Sequence, residues 1–135
     1  MRLTPAQIDT IQSTAQAVLG QCADLTFAVL VGSRANGTVR EDSDWDIAVQ
    51  WNPSLSGSDK WVATELLRQH LRHALQVPED RIDLIDLADA RLAMRALAAE
   101  EGIPLYIAND LAWARFLQST WSMLEDHQWR REHAA

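Results

Sequence analysis

Apolar residues recur at helical spacing near the start of the chain, at Ile8, Ile11, Ala15, Val18 and Leu19. Ahead of them, Thr4 can cap the helix, Pro5 suits its first position and Gln7 can complete a capping box. Gly20 can end it. The pattern then changes. Residues 25–31, LTFAVLV, are apolar without a break, which predicts a strand covered on both sides or on most of one side. Residues 46–51, DIAVQW, alternate instead, and a second strand there would put Ile47, Val49 and Trp51 on one face. The stretch 52–58, NPSLSGS, reads as a loop. Ser58 can cap a helix running to about Gln76, with Val62, Leu66, Leu71 and Leu75 among its apolar positions. Residues 81–87, RIDLIDL, predict a third strand, 89–101 a short helix stopped at Gly102, and 103–107, IPLYI, a fourth strand. Asn109 or Asp110 then caps a last helix to about residue 131.

Strands and helices interleave, so the expected class is α/β (α+β), a small mixed sheet of about four strands with helices packed on it. At 135 residues the chain is expected to form one domain, 1–135. A hydrophobic share of 47% lets it build a core without disulfides. Its formal net charge is −7, and the eleven arginines and one lysine are scattered, which argues against nucleic acid as a direct partner. The single cysteine, Cys22, reads as a buried or half-buried small hydrophobe. The N-terminal MRLTPAQ has no apolar signal region, and no apolar run approaches the ~20 residues a membrane span needs. A cytoplasmic protein with no membrane partner is therefore expected.

The most specific chemistry lies in residues 31–51, VGSRANGTVREDSDWDIAVQW. Strand geometry puts residues i and i+2 on the same face. Asp44 and Asp46 then project side by side, with Ala48 and Gln50 behind them, while Trp45, Ile47 and Val49 face the other way. Adjacent carboxylates repel unless a cation lies between them. Mg²⁺ prefers such hard oxygens, and a carboxylate pair can bridge two ions roughly 3.5–4 Å apart for phosphoryl or nucleotidyl transfer. Gly32 and Ser33 follow an apolar strand and can begin a helical turn, RANG. Glycine lets the backbone approach a phosphate, and free N–H groups with the Ser33 hydroxyl can bind its oxygens. Arg34 can also touch phosphates, or lie on the surface. In RIDLIDL, Asp83 points away from Ile82 and Leu84 and would complete a three-carboxylate site if its strand neighbours the second. Asp86 is the alternative.

Gly32-Ser33, ten residues, then Asp44-Trp45-Asp46 resembles the G-S-x₁₀-D-x-D signature of nucleotidyltransferases similar to DNA polymerase beta. The later IDLID resembles the segment that carries that superfamily's third aspartate. The resemblance covers roughly residues 5–90, and the short chain leaves no room for an additional substrate domain. It is similar to the minimal nucleotidyltransferase antitoxins that pair with HEPN-domain toxins. The resemblance implies a nucleotidyltransferase fold and transfer of AMP from ATP to a hydroxyl, a tyrosine of the toxin, which silences it. It implies two Mg²⁺ ions held by Asp44, Asp46 and Asp83, a triphosphate held by Gly32, Ser33 and Arg34, and a hetero-oligomer with the toxin. The alternatives are an antitoxin that only covers its toxin, and a small-molecule nucleotidyltransferase acting as a homodimer.

Competing motifs fail on single residues. A Walker A loop over Gly32 to Thr38 lacks its lysine. An EF-hand loop over Asp42, Asp44 and Asp46 has Ile47 for the required glycine and Pro53 for the closing glutamate. Asn36-Gly37-Thr38 is a glycosylation sequon without meaning in a cytoplasmic chain. His70 and His73 have no third ligand and are expected on the surface. Trp113, Phe116, Leu117, Trp121 and Leu124 cover too wide an arc for a narrow core stripe, so the last helix is expected to divide between core and partner surface.

Overall fold

The computed structural model describes residues 4–35 and 44–134. The sequon at Asn36, Gly37 and Thr38, the Asp42 of the calcium-loop match and the second half of RANG lie outside the described residues.

The elements run α1 (Pro5–Leu19), β1 (Leu25–Val31), a 3₁₀ turn (Gly32–Arg34), β2 (Trp45–Trp51), α2 (Gly57–Leu75), a second 3₁₀ turn (Glu79–Arg81), β3 (Ile82–Asp86), α3 (Leu92–Glu100), β4 (Ile103–Ile107) and α4 (Asp110–Glu132). The strands form one mixed sheet in the order β3-β2-β1-β4. β1 pairs antiparallel with β2 and β4, and β2 pairs parallel with β3. A parallel pair needs a crossover, and α2 supplies it.

The two faces of the sheet explain the two strand patterns. Ala28, Leu30, Trp45, Ile47 and Val49 pack with Ala15 and Leu19 of α1 and Leu67 and Leu71 of α2. Phe27, Val29, Val31 and Ala48 pack on the other face, with Ala98 of α3 and Phe116 of α4. β1 is covered on both sides, and so reads as an unbroken apolar run. β2 is apolar throughout only on the α1/α2 face. Its other face runs Asp46, Ala48, Gln50. An aromatic cluster closes that side further along, with Phe27 and Trp113 edge to face at 5.0 Å and Phe27 and Phe116 at 5.3 Å between ring centres.

Local capping decides the helix starts. Thr4 and Gln7 form the expected capping box. α2 starts two residues earlier than the Ser58 cap would require, because Ser56 Oγ accepts from the Asp59 N–H at 3.1 Å. The Asp59 carboxylate lies in the first turn, where the helix dipole favours it. β3 starts at Ile82 rather than Arg81, which ends a 3₁₀ turn. α3 starts at Leu92, later than the sequence pattern suggests, because Asp86 turns the chain first: its Oδ1 accepts from the Ala88 N–H at 3.0 Å. Asn109, not Asp110, caps α4.

α4 divides into a buried and an exposed part. Trp113, Phe116 and Leu117 belong to the core, whereas Trp121 and Trp129 are exposed, the latter stacked on His133. Among the described residues no helix is long and apolar enough to cross a membrane.

Candidate active site

The turn after β1 and the start of β2 come together because the two strands are antiparallel neighbours, with Val31 opposite Asp46. Gly32 leaves β1 with φ +78°, a left-handed backbone that a side chain would strain. A Cβ on Gly32 would lie 2.5 Å from Oδ2 of Asp46. The glycine therefore does two things: it turns the chain, and it leaves room for the carboxylate. Ser33 is half-buried within the 3₁₀ turn.

Asp83 stands opposite Asp46 in the parallel register of β2 and β3. Both point to the α3/α4 side, since their neighbours Trp45 and Ile82 fill the core on the α1/α2 side. Asp44 lies one residue before β2 and is exposed, with Oδ1 3.7 Å from Nη1 of Arg81. Burial first, then Asp83 and Asp44, push the Asp46 pKa above the usual carboxylate value. The three carboxylates are not drawn to coordinating distance, for among the described residues no three His, Cys, Asp or Glu groups are clustered tightly enough to grip an ion.

Asp86 is placed elsewhere. It sits opposite Val49 and turns to the α2 side, where it pairs with Lys60 at 2.8 Å. That hydrogen bond leads the causes that raise the Lys60 pKa. Alternation along β3 thus separates the two aspartates, and Asp83 is the one that stands opposite Asp46.

Arg34 is buried, with its guanidinium carbon 4.3 Å from the centre of the Trp45 ring. Burial lowers its pKa and nearby Asp44 opposes that shift. A surface position is thereby excluded. The side chain fastens the Gly-Ser turn to β2 through a cation–π contact, a role the sequence reading missed although Arg34 and Trp45 flank the same motif. His70 and His73 are exposed on α2. Cys22 is half-buried against the α1/α2 core, and burial with Asp24 raises its pKa, which makes the thiol less nucleophilic.

The donor set suits Mg²⁺. It consists of hard carboxylate oxygens, one of them held above its normal pKa by burial and then by like charge, beside a turn kept open by a missing Cβ.

The sequence family described as Polymerase beta, Nucleotidyltransferase matches residues 13–111. The chain belongs to this family. The match runs from the middle of α1 through the Gly-Ser turn and all four strands. Among curated relatives of this nucleotidyltransferase, protein adenylyltransferase MntA of Aphanizomenon flos-aquae is 29% identical over 85 residues, which is 61% of this chain and 57% of that protein. A chain in the crystal structure of a toxin–antitoxin with AMP-PNP superposes with a TM-score of 0.68 at 27% identity, covering 90% of this chain and 92% of that one. A chain in the complex of tri-AMPylated Shewanella oneidensis HEPN toxin with MNT antitoxin gives a TM-score of 0.66 at 24% identity, over 93% and 92% of the two chains, a likeness of fold.

Proposed function

We propose that this nucleotidyltransferase is a Mg²⁺-dependent adenylyltransferase antitoxin, working in the cytoplasm, that moves AMP from ATP to a tyrosine hydroxyl of a HEPN toxin and so silences it. The observation that carries the reading is the pairing of Asp46 with Asp83 across β2 and β3, directly beside the open Gly32 turn. A surface that only covers a partner has no use for three mutually repelling acids at the mouth of a buried sheet. The similarity to an adenylyltransferase and to a toxin–antitoxin structure holding AMP-PNP supports the choice of AMP as the group transferred and of a toxin as the acceptor.

Asp44, Asp46 and Asp83 would hold two Mg²⁺ ions, which when bound neutralise the triphosphate and ease loss of the acceptor's proton. The Gly32–Ser33 turn presents backbone N–H groups and the Ser33 hydroxyl to the phosphate oxygens. Arg34 holds that turn against Trp45. Asp83 is the exposed member of the Asp46–Asp83 pair, so it faces the incoming hydroxyl and takes its proton. The acceptor oxygen attacks the α-phosphorus, the bond from that phosphorus to the pyrophosphate oxygen breaks, and pyrophosphate leaves.

The test is to incubate the cognate toxin with this protein, ATP and Mg²⁺, and then to separate the two. Covalent silencing leaves the toxin inactive and heavier by one AMP residue for each transfer. Recovery of full activity at unchanged mass would show that the protein acts by covering its toxin.

A further inference from the structure

We propose that the cavity between the first turns of α4 and the far ends of β1 and β2 binds a small organic anion. A carboxylate or phosphate head would meet Arg95 and Arg115, and an apolar body would lie against Pro53 and Ala112, since Phe27 and Phe116 are themselves buried. The cavity measures about 370 Å³, and Thr26, Gln50 and Ser119 complete its polar lining. That size and mixed lining fit a small-molecule site.

Arg95 carries the argument. Its Nη2 donates to Ser119 Oγ at 3.1 Å, and Nη1 reaches the Leu87 carbonyl, at 3.4 Å. Its guanidinium carbon lies 4.8 Å from the Phe116 ring centre. Its Nε is buried without a hydrogen-bond partner among the described residues. No carboxylate among the described residues pairs with it. Burial accordingly lowers its pKa with no acid opposing the shift. A chain with 19 acidic and 12 basic residues has acids in plenty to neutralise one arginine, yet this one lies in a cavity with a second arginine beside it. Arg95 is half-buried with no acid beside it among the described residues, and a guanidinium fork so placed suits carboxylate or phosphate.

The site is separate from the candidate active site. Gln50 and Asp46 lie on the same face of β2, four residues apart, or about 13 Å along a strand. The cavity is therefore at the opposite end of β2 from the Gly32 turn.

Amide NMR of the purified protein without divalent ions tests this, with AMP, benzoate and inorganic phosphate as probes. AMP or benzoate should saturably move the amides of Gln50, Ala112, Phe116 and Ser119, at lower concentration than inorganic phosphate. Whichever of the two binds more tightly tells a nucleotide from an aromatic acid. Arg115→Ala, at an exposed position that cannot threaten folding, should weaken binding about tenfold or more. Arg95→Lys, which keeps the charge but loses the fork, should weaken it similarly. Asp46→Asn should leave it intact, so the outcome is independent of the transfer reaction. Probes that move only Gly32 and Ser33, or a response unchanged by Arg115→Ala, would overturn the assignment.

Discussion

Gly32 and Asp46 share one space: the Cβ that Gly32 lacks would lie 2.5 Å from a carboxylate oxygen of Asp46. The turn proposed to hold phosphate and the carboxylate proposed to hold metal are therefore a single packing unit. Gly32→Ala should strain a backbone at φ +78° and displace Asp46 together. The expected cost is about 1–2 kcal/mol of stability in denaturant titration. Transfer should fall about 100-fold, as expected when a catalytic group moves by about 1 Å. An alanine variant with wild-type transfer would separate the turn from the chemistry.

Asp46 predicts how stability changes with pH. Burial and the two neighbouring aspartates raise its pKa in the folded state above the unfolded value. The folded protein then binds the proton more tightly than the unfolded chain, so the contribution is fully present below the unfolded pKa and is lost as pH rises through the folded one. Asp46→Asn should thus raise Tm at neutral pH, and the gain should vanish below about pH 4, where the wild-type carboxyl is itself protonated. Mg²⁺ should raise the Tm of the wild type more than that of the variant, and chelation should remove the difference. Equal Mg²⁺ responses would place the ion elsewhere.

The two aspartates of β3 should part company. Asp83→Asn should abolish transfer with little loss of stability, since Asp83 is exposed and opposes a like charge. Asp86→Asn removes the charge that pairs with Lys60, while its side-chain oxygen can still accept from the Ala88 N–H. It should cost about 1 kcal/mol and leave transfer near wild type. Thermal melts and transfer rates on the two variants, side by side, check this, and the reverse pattern would mean that Asp86 is the third carboxylate.

Much of this arrangement was legible in the residues. The face that Asp46 shares with Ala48 and Gln50 follows from strand alternation, although Asp44 lies just before the strand, and the α1 capping box follows from four consecutive residues. Alternation also pointed to Asp83, but its partnership with Asp46 depends on β3 lying next to β2. That is a matter of topology, and no local pattern in RIDLIDL states it. Ser56 and Ser58 are equally good caps as residue types, and either would leave Asp59 in the first turn; the bond from the Asp59 N–H to Ser56 Oγ is a three-dimensional choice between them. Burial of Arg34 was missed because arginine is read as a surface residue, whereas its flat guanidinium can stack on an indole. Arg95 and Arg115 went unremarked for a different reason: they sit on different helices, and only the packing of α3 and α4 brings them to one cavity.

The central claim is that the chain transfers a nucleotidyl group. ATP radiolabelled at the α-phosphorus, and separately at the γ-phosphorus, should be incubated with Mg²⁺, this protein and its cognate toxin, and the toxin then resolved on a denaturing gel. The account predicts label on the toxin from the α-phosphorus alone, and none when the Asp44→Asn, Asp46→Asn double variant replaces the wild type. Label from the γ-phosphorus, or a neutralised toxin that carries no label, would contradict it.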